Sequence, residues 1–337
     1  MKTATKNEFS EQTIVSLVER YFPGQSITNI QSLDGGSFNT LYLIEGTGEL
    51  QKGVILKTGP RDGVDITDHE KDNIRTEVKT YQLMEDRKIP VPKVYAYDFS
   101  REILPCDYFF MERMPGKTWF EHWPIRDNGL MYALGKYTAR IHEVTANHYG
   151  SIIDDGVNHF DTWGDAFISM IEQAVSECQA QRLPLAYDEL RDAAYSRKDI
   201  LDQLEKPSLV NFDLWAGNIF VIKEEDGFYL KGIIDFERSF FGDPFASFAS
   251  AFLLYDRVEK QKAFCRGYKK VTGKTLVITD TDQEKIELYR ILMYLRGYSE
   301  THRYGGAFRF IQRTAIRYFI GHFLKNLKRM EKKRSKK

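Results

Sequence analysis

A β-hairpin signal between residues 211 and 243 constrains the fold of this chain more than any other feature. Two strand-like apolar runs, 219–222 and 228–234, flank the dipeptide Asp226-Gly227. Asp-Gly is a strong signal for a two-residue hairpin turn, because both central positions of that turn favour a left-handed backbone. The segment therefore predicts an antiparallel hairpin whose turn lies at Asp226-Gly227.

Polar residues at the open end of this hairpin predict a metal site. Asn218 and Asp235 lie equally far from the turn, so the folded hairpin would place them opposite each other. Their amide and carboxylate oxygens are the ligand type that Mg²⁺ prefers. Asp213 precedes Asn218 by five residues, a spacing that suits holding a metal–nucleotide phosphate beside an acceptor hydroxyl. Each feature alone is common by chance, and their combination points to function.

The composition is typical of a soluble globular protein. The 337 residues are 42% hydrophobic and 28% charged, and no run approaches 18 apolar residues, so we expect no membrane span. The segment 1–12 lacks the apolar core of a secretory signal, which favours a cytoplasmic location. The three cysteines lack metal-ligand spacing, and we expect thiols in a reducing compartment. They are Cys106, Cys178 and Cys265.

The formal net charge of zero hides an asymmetry. Residues 325–337 contain eight Lys or Arg against the single acid Glu331, which leaves 40 basic and 47 acidic side chains elsewhere. A basic end of this kind could contact nucleic acid, but a solvated, frayed terminus is the simpler interpretation. We therefore expect no nucleic-acid partner.

Hydrophobic periodicity divides the chain into a β-rich part and a helical part. The expected strands are 40–44, 54–57 and 108–111. The expected helices are 11–21, 68–84, one around 131–141, and further ones near 165–182, 244–255, 258–271, 283–299 and 308–330. We place a lobe boundary near residue 115, which separates a small β-rich lobe (1–115) from a larger helical lobe (116–330) and a basic tail (331–337).

The β-rich lobe supplies candidate phosphate-binding groups. Gly35, Gly36 and Ser37 form a glycine loop before a strand, where backbone N–H groups could approach a phosphate. Lys57 ends a strand after three apolar residues, so its ammonium should face the interior. Such a lysine needs an acid to orient it, and Glu77 on the following helix is the first choice. Glu70, on a similar face of that helix, is the alternative.

Several motifs together resemble a known family. The most specific are FDLWAGNIFV, IIDFE, GDP and FMERMPG, and IPVPKVYAYD and LGKYTARIHEV also match. With them the chain, from about Ser32 to the helix near Gly321, resembles the aminoglycoside phosphotransferase family of small-molecule kinases. The resemblance implies an α+β, bilobal protein-kinase-like fold. The small lobe would bind the nucleotide, and the helical lobe would carry the catalytic and metal-binding loops.

The resemblance also implies roles for the hairpin segment. Asp213 would accept or orient the proton of the attacking hydroxyl, and Asn218 and Asp235 would hold Mg²⁺. Asp243 would brace the catalytic loop, although its place before Pro244 also suits a helix cap.

The resemblance implies a nucleotide site in the small lobe as well. Lys57 and Glu77 would steady the α- and β-phosphates of ATP or GTP. The backbone of 112–114, from Glu112 to Met114, would form the adenine hinge, and Met111 would line the base pocket. The acceptor would be a small molecule with a hydroxyl group, and we expect a monomer or a simple homodimer.

Asn211 departs from the family pattern, which has histidine two residues before the catalytic aspartate. Asn can both donate and accept a hydrogen bond, so we expect it to act as a brace in a working enzyme. A nucleotide-binding pseudokinase with a regulatory or scaffolding role is the alternative. Asp-Leu-Trp beginning at Asp213 also resembles fructosamine and ribulosamine kinases, which act in deglycation. His142 matches the family too, and we interpret it as a packing residue.

Overall fold

The computed structural model describes residues 5–33, 36, 38–122, 125, 127–154, 156–251 and 257–334. Its strands are β1 (Ile27–Leu33), β2 (Thr40–Gly46), β3 (Val54–Thr58), β4 (Val94–Asp98), β5 (Tyr108–Glu112), β6 (Lys117–Thr118), β7 (Tyr149–Gly150), β8 (His159–Phe160), β9 (Ser208–Val210), β10 (Ile219–Glu224), β11 (Gly227–Ile233) and β12 (Phe240–Gly242).

The described helices lie mostly in the C-terminal two thirds of the chain. They are α1 (Glu11–Tyr21), α2 (Asn73–Met84), α3 (Asn128–His142), α4 (Trp163–Ala180), α5 (Tyr187–Tyr195), α6 (Lys198–Leu201), α7 (Ser247–Ala251), α8 (Lys262–Thr272), α9 (Asp280–Ser299) and α10 (Gly306–Arg334). An antiparallel sheet followed by a helical part confirms the α+β prediction.

The N-terminal sheet has the strand order β1-β2-β3-β5-β4, and every neighbouring pair is antiparallel. Alternation along β3 assigns its residues to two faces. Val54 and Leu56 pack against α1, whereas Ile55 belongs to the core shared with α2 and the helical part. Lys57 therefore lies on the interior face with Ile55, as the sequence predicted.

The predicted hairpin forms, but its turn lies one residue earlier than expected. Glu224 pairs with Gly227, so Glu225 and Asp226 make the two-residue loop. A register shift between Phe220 and Val221 then adds one residue to the β11 side. As a result Asn218 is level with Ile234, whose N–H donates to the Asn218 carbonyl at 2.9 Å, and Asp235 follows immediately. The earlier turn shifts the pairing by two residues, and the bulge offsets one of them.

Several helix boundaries also differ from the predicted ones. The expected helix 68–84 is a short 3-10 turn at Asp68–Glu70 followed by α2. Helix α8 begins four residues later than expected, and α5 was not predicted. Part of the expected helix 244–255, residues 252–256, lies outside the described residues. None of the described helices has the length and apolar content needed to cross a membrane.

His142 is a buried packing residue that joins α3 to two other helices. Its Nδ1 lies 3.0 Å from the Tyr268 hydroxyl, and its Nε2 lies 3.0 Å from Ser247 Oγ. Burial lowers the pKa of His142 to about 3, because a desolvated imidazolium is unfavourable. The ring is therefore neutral in the folded protein at any moderate pH.

This burial predicts a stability loss in acid. Unfolded His142 would take up a proton below its ordinary pKa of about 6.5, whereas the folded residue would not, so stability falls as the pH drops below that value. At about pH 5 the loss from this residue is about 2 kcal/mol. Urea unfolding between about pH 7 and pH 5 should show this loss of stability in the wild type but not in His142→Gln. His322→Gln, at an exposed site on α10, is the matched control and should keep the wild-type slope.

Candidate active site

A cavity of about 660 Å³ opens between the N-terminal sheet and the β10–β11 hairpin. This volume is in the usual range for small-molecule sites. Every described residue proposed above for nucleotide, metal or catalysis lines it. These are Gly36, Lys57, Glu77, Met111, Glu112, Met114, Asp213, Asn218 and Asp235. Gly35 and Ser37 lie outside the described residues.

Lys57 lies at the centre of three acidic side chains. Its Nζ is 2.5 Å from Glu77, 3.0 Å from Asp235 and 3.1 Å from Glu237. The first contact follows from α2 geometry, because Glu77 shares the inward face of that helix with Tyr81, whose hydroxyl donates to Glu77 Oε1 at 2.8 Å. Although burial favours the neutral amine, the three carboxylates raise the pKa of Lys57 well above its usual value.

A single ammonium does not balance three buried carboxylates, and the pKa values of the three groups differ as a result. Burial raises the pKa of Glu237 to about 8, and the nearby Asp235 charge adds to the effect. Although burial also works against its charge, Lys57 lowers the pKa of Asp235, which therefore stays ionised. Two amides hold Glu237 in place: Asn39 Nδ2 donates at 2.5 Å and Asn73 Nδ2 at 3.3 Å.

The loop that carries Asp213 is held by hydrogen bonds to its backbone. The N–H of Asp213 donates to Asn211 Oδ1 at 2.9 Å, and the N–H of Leu214 donates to Ser250 Oγ at 2.9 Å. Asn211 thus braces the loop through its acceptor. Its Nδ2 is buried and has no hydrogen-bond partner among the described residues. Such an orphan donor costs about 1–3 kcal/mol, so the asparagine is not optimal for stability.

Asp213 lies in a desolvated position beneath the cavity. Burial raises its pKa to about 7, an effect that the Arg238 guanidinium opposes and the Asp235 carboxylate increases. A carboxyl with this pKa can take a proton from an alcohol during a reaction near neutrality. The side chain of Asn218 fixes the loop further, since its Nδ2 donates to the Asp213 carbonyl at 2.9 Å and to Oδ2 at 3.3 Å.

The oxygens at the end of the hairpin fit a hard divalent cation. Because the Asn218 Nδ2 is used by Asp213, its amide oxygen is the atom available to a ligand. Asp235 has φ of +65°, a left-handed conformation that is unusual for a residue with a side chain and often marks a functional site. Its N–H donates to the Tyr81 hydroxyl at 3.1 Å, which anchors this backbone to α2. An amide oxygen beside an ionised carboxylate is a suitable donor set for Mg²⁺.

The opposite end of the cavity is formed by the chain that leaves β5. Met111, Glu112 and Met114 line it, and Gly116 follows with φ of +91°. A Cβ on Gly116 would lie 2.2 Å from the Val221 carbonyl oxygen, so only glycine lets the chain cross the hairpin here. This close crossing brings the 111–114 segment to the same cavity as Asn218.

Sequence reasoning missed Arg238. Its guanidinium lines the cavity and donates to Glu300 at 2.8 Å. Glu300 in turn lies 3.1 Å from His69 Nε2, and Glu177 lies 2.9 Å from His69 Nδ1. This buried network joins the segment after Asp235 to the 3-10 turn before α2. In the sequence, only the position of Arg238, three residues after Asp235, pointed to a role in the site.

The structure also separates alternatives that the sequence left open. Glu70 does not approach Lys57; it pairs with Arg303 and closes a capping box with Thr67. Asp243 caps the turn that begins at Pro244, since Oδ1 accepts from the Phe245 N–H at 2.9 Å. Its other oxygen accepts from Tyr289 and Lys285, both at 2.8 Å, so it also ties β12 to α9.

Together these elements define a bilobal kinase-like phosphotransferase fold. The structure of the thermostable aminoglycoside phosphotransferase APH(4)-Ia, apo form, aligns with a TM-score of 0.64 at 15% identity and covers 94% of this chain and 99% of that one. A candidate fructosamine-3-kinase from Thermobifida fusca YX-ER1 aligns with a TM-score of 0.63 at 16% identity, covering 94% and 100%. A structure of a thermostable APH(4)-Ia mutant in a ternary complex with ADP and hygromycin B also aligns, with a TM-score of 0.62 at 13% identity. It covers 92% of this chain and 97% of that one.

The family of this chain follows from its match to a sequence model. The model of the phosphotransferase enzyme family, APH, matches residues 29–281, about three quarters of the chain. The chain belongs to this family. A search of curated protein sequences gave no significant match.

Proposed function

We propose that this protein is a Mg²⁺-dependent kinase that transfers the γ-phosphate of ATP or GTP to a hydroxyl group of a small molecule. One observation carries the proposal: Asp213, the Lys57–Glu77 pair and the oxygens of Asn218 and Asp235 all line one cavity. Phosphoryl transfer to an alcohol needs these groups together, because positioning and charge neutralisation supply most of the catalysis.

Asp213 is the proposed catalytic base. The acceptor oxygen attacks the γ-phosphorus, the bond between that phosphorus and the β–γ bridging oxygen breaks, and the nucleoside diphosphate leaves. The hydroxyl proton passes to the Asp213 carboxylate. Asn211 and Asn218 hold Asp213 in place through the loop backbone and its carboxylate. Arg238 provides positive charge on the same side of the cavity.

The nucleotide would lie along the small lobe, which we assign to residues 1–115. Lys57, oriented by Glu77, would neutralise the α- and β-phosphates, and the loop of Gly35, Gly36 and Ser37 would cover them. The backbone of 112–114 would bind the adenine or guanine edge, with Met111 against the base. A bound Mg²⁺, held by Asn218 and Asp235, would neutralise charge on the β- and γ-phosphates.

For the molecule that receives the phosphate, we propose a chemical class rather than a single compound. APH(4)-Ia forms a ternary complex with ADP and hygromycin B, and a candidate fructosamine-3-kinase has a similar fold. Amino sugars and glycated amines are therefore the first acceptors that we would test. A pseudokinase remains the second candidate, because the orphaned Asn211 amide marks a catalytic loop that departs from the family pattern.

A substrate panel separates the two candidates. Purified protein with Mg²⁺ and ATP or GTP would be offered aminoglycosides, sugars, amino alcohols and fructosamines, with nucleoside diphosphate release and product mass as readouts. We expect acceptor-dependent phosphate transfer that is lost in Asp213→Asn. Thermal stabilisation by Mg²⁺–nucleotide without transfer to any member would favour the pseudokinase instead.

Asp235→Asn tests the proposed metal site. The neutral amide should weaken the nucleotide affinity measured with Mg²⁺ by about 10- to 100-fold, toward the value without metal. Calorimetric titrations with Mg²⁺ and with a chelator give both affinities. Glu224→Gln, on the exposed end of β10, is the matched control. If Mg²⁺ still tightened nucleotide binding to the same extent in Asp235→Asn, this ligand assignment would be wrong.

A further inference from the structure

Helix α10 has two apolar faces, and only one of them is covered. Ile320, Phe323, Leu324 and Leu327 are buried in the core that includes α9. On the other side of the helix a second stripe is exposed. Its members are Phe308 (45% exposed), Ile311 (63%), Ala315, Tyr318 (69%) and His322, and Phe319 (39%) flanks it on the side of Tyr294.

The exposed stripe follows a coiled-coil repeat. Phe308, Ile311, Ala315, Tyr318 and His322 are separated by alternating steps of three and four residues, which is the spacing of a seam between two helices. The same line continues beyond His322 as Lys325 and Arg329, both exposed. The outer face of α10 is thus apolar in its first half and basic in its second half.

We propose that this stripe is the interface of a homodimer, in which α10 packs antiparallel against α10 of a second copy with the two-fold axis between Ile311 and Ala315. Because an antiparallel pair brings the two alternating seam positions to one level, Ile311 lies opposite Ala315 of the partner subunit and Phe308 lies opposite Tyr318 of the partner subunit. Residues 308–318 of both copies then overlap over roughly 17 Å.

Charge selects this orientation. In an antiparallel pair the two Lys325 residues lie on opposite sides of the axis, about 36 Å apart along the helices. This separation exceeds the screening length of about 8 Å at physiological salt. A parallel pair would instead bring Lys325 and Arg329 of both copies together, where like charges repel.

Charge also favours a second copy over an anionic membrane surface. The positions that flank the apolar half of the seam are Gln312, Thr314, Phe319 and Gly321, and none is charged. Two of the three arginines of this half face the protein: Arg309 Nε donates to the Tyr304 carbonyl at 2.6 Å, and Arg313 Nε donates to Thr301 Oγ1 at 2.8 Å. The third, Arg317, is exposed but lies off the seam. A membrane-surface helix carries its basic residues beside the apolar stripe.

The exposed apolar area of the stripe approaches the non-polar share of a stable dimer interface. Full burial of an aromatic side chain removes about 150–250 Å² from water, so the exposed fractions above leave roughly 400 Å² of apolar surface per copy. A stable interface buries about 800 Å² per partner, of which about 57–65% is non-polar. The stripe supplies most of that non-polar share.

Sedimentation velocity of the full chain over a range of concentrations is the first test. We expect a monomer–dimer equilibrium in the wild type, and a dissociation constant at least tenfold higher in Ile311→Glu and in Tyr318→Glu. Phe310→Glu is the matched control, because Phe310 is 73% exposed on the same helix but lies off the seam. Equal melting temperatures would show that the variants fold. A wild type that is monomeric at every concentration would overturn the proposal.

Disulfide trapping tests the orientation. In a Cys265→Ser background, which removes the partly exposed native thiol, mild oxidation of mixed single-cysteine variants should link Ile311→Cys to Ala315→Cys and Phe308→Cys to Tyr318→Cys. Self-linking of Phe308→Cys would overturn the antiparallel arrangement. Sedimentation with phosphatidylserine vesicles completes the test: vesicle binding by a monomer, lost in Tyr318→Glu, would assign the stripe to a membrane surface instead.

Discussion

Replacing Asp213 with asparagine is expected to lower kcat by roughly 10²- to 10⁴-fold, the usual contribution of a positioned general base. The amide keeps the size of the side chain but cannot take the acceptor proton. Nucleotide affinity should stay within a few fold of the wild type, because the groups proposed to bind phosphates are separate side chains. Steady-state kinetics with the acceptor found in the substrate panel, together with nucleotide titration, measures both quantities.

Asp226→Asn is the matched control for this variant. Asp226 lies in the exposed loop of the same hairpin segment and accepts a hydrogen bond from the Tyr229 hydroxyl at 2.6 Å, away from the cavity. It should retain wild-type kinetics. Near-normal turnover in Asp213→Asn would remove Asp213 from the catalytic role.

Replacing Lys57 with methionine is expected to abolish measurable turnover and to destabilise the fold by about 3–5 kcal/mol. The variant leaves Glu77, Asp235 and Glu237 close together without their shared cation. Ionised carboxylates at these buried sites would be unpaired, so they would take up protons and the stability would fall further as the pH rises above their unfolded pKa values. Urea unfolding at several pH values measures the effect.

A second substitution distinguishes charge from packing. Glu237→Gln in the Lys57→Met background replaces one buried carboxyl by a neutral amide, so folding no longer has to take up a proton at this position. It should restore part of the stability while activity stays absent. Lys231→Met is the surface control: Lys231 is half-exposed and 3.5 Å from Glu224, and such a pair contributes about 0–1 kcal/mol. If the double variant were no more stable than Lys57→Met, the cost of neutralising unpaired carboxyls would not be the cause.

Local patterns predicted the parts of the site that depend on a few neighbouring residues. The inward direction of Lys57 followed from alternation along β3, and the inward face of α2 followed from helical periodicity. The hairpin was predicted from its turn dipeptide and flanking strands. Its register was missed by one residue, because the turn lies one residue earlier than the Asp-Gly signal predicts and the bulge near Phe220 offsets only half of the resulting shift.

Other features depend on pairs that are far apart in sequence. Lys57 and Asp235 are 178 positions apart, and the Glu300–His69 pair joins positions 231 apart. No local pattern shows that Glu237 shares this cluster, or that Arg238 joins a buried network. These contacts arise when the sheet and the helical part pack, and burial then shifts the pKa values of the carboxyls.

The sequence by itself determined the family, the α+β class and the linear order of the candidate site, because strand alternation, helical periodicity and turn chemistry act over a few residues. The tertiary structure alone decided that Glu77 rather than Glu70 meets Lys57, that Glu237 joins the same cluster and that one face of α10 remains exposed. Those outcomes depend on which surfaces exclude water, and water is excluded only when distant segments pack together.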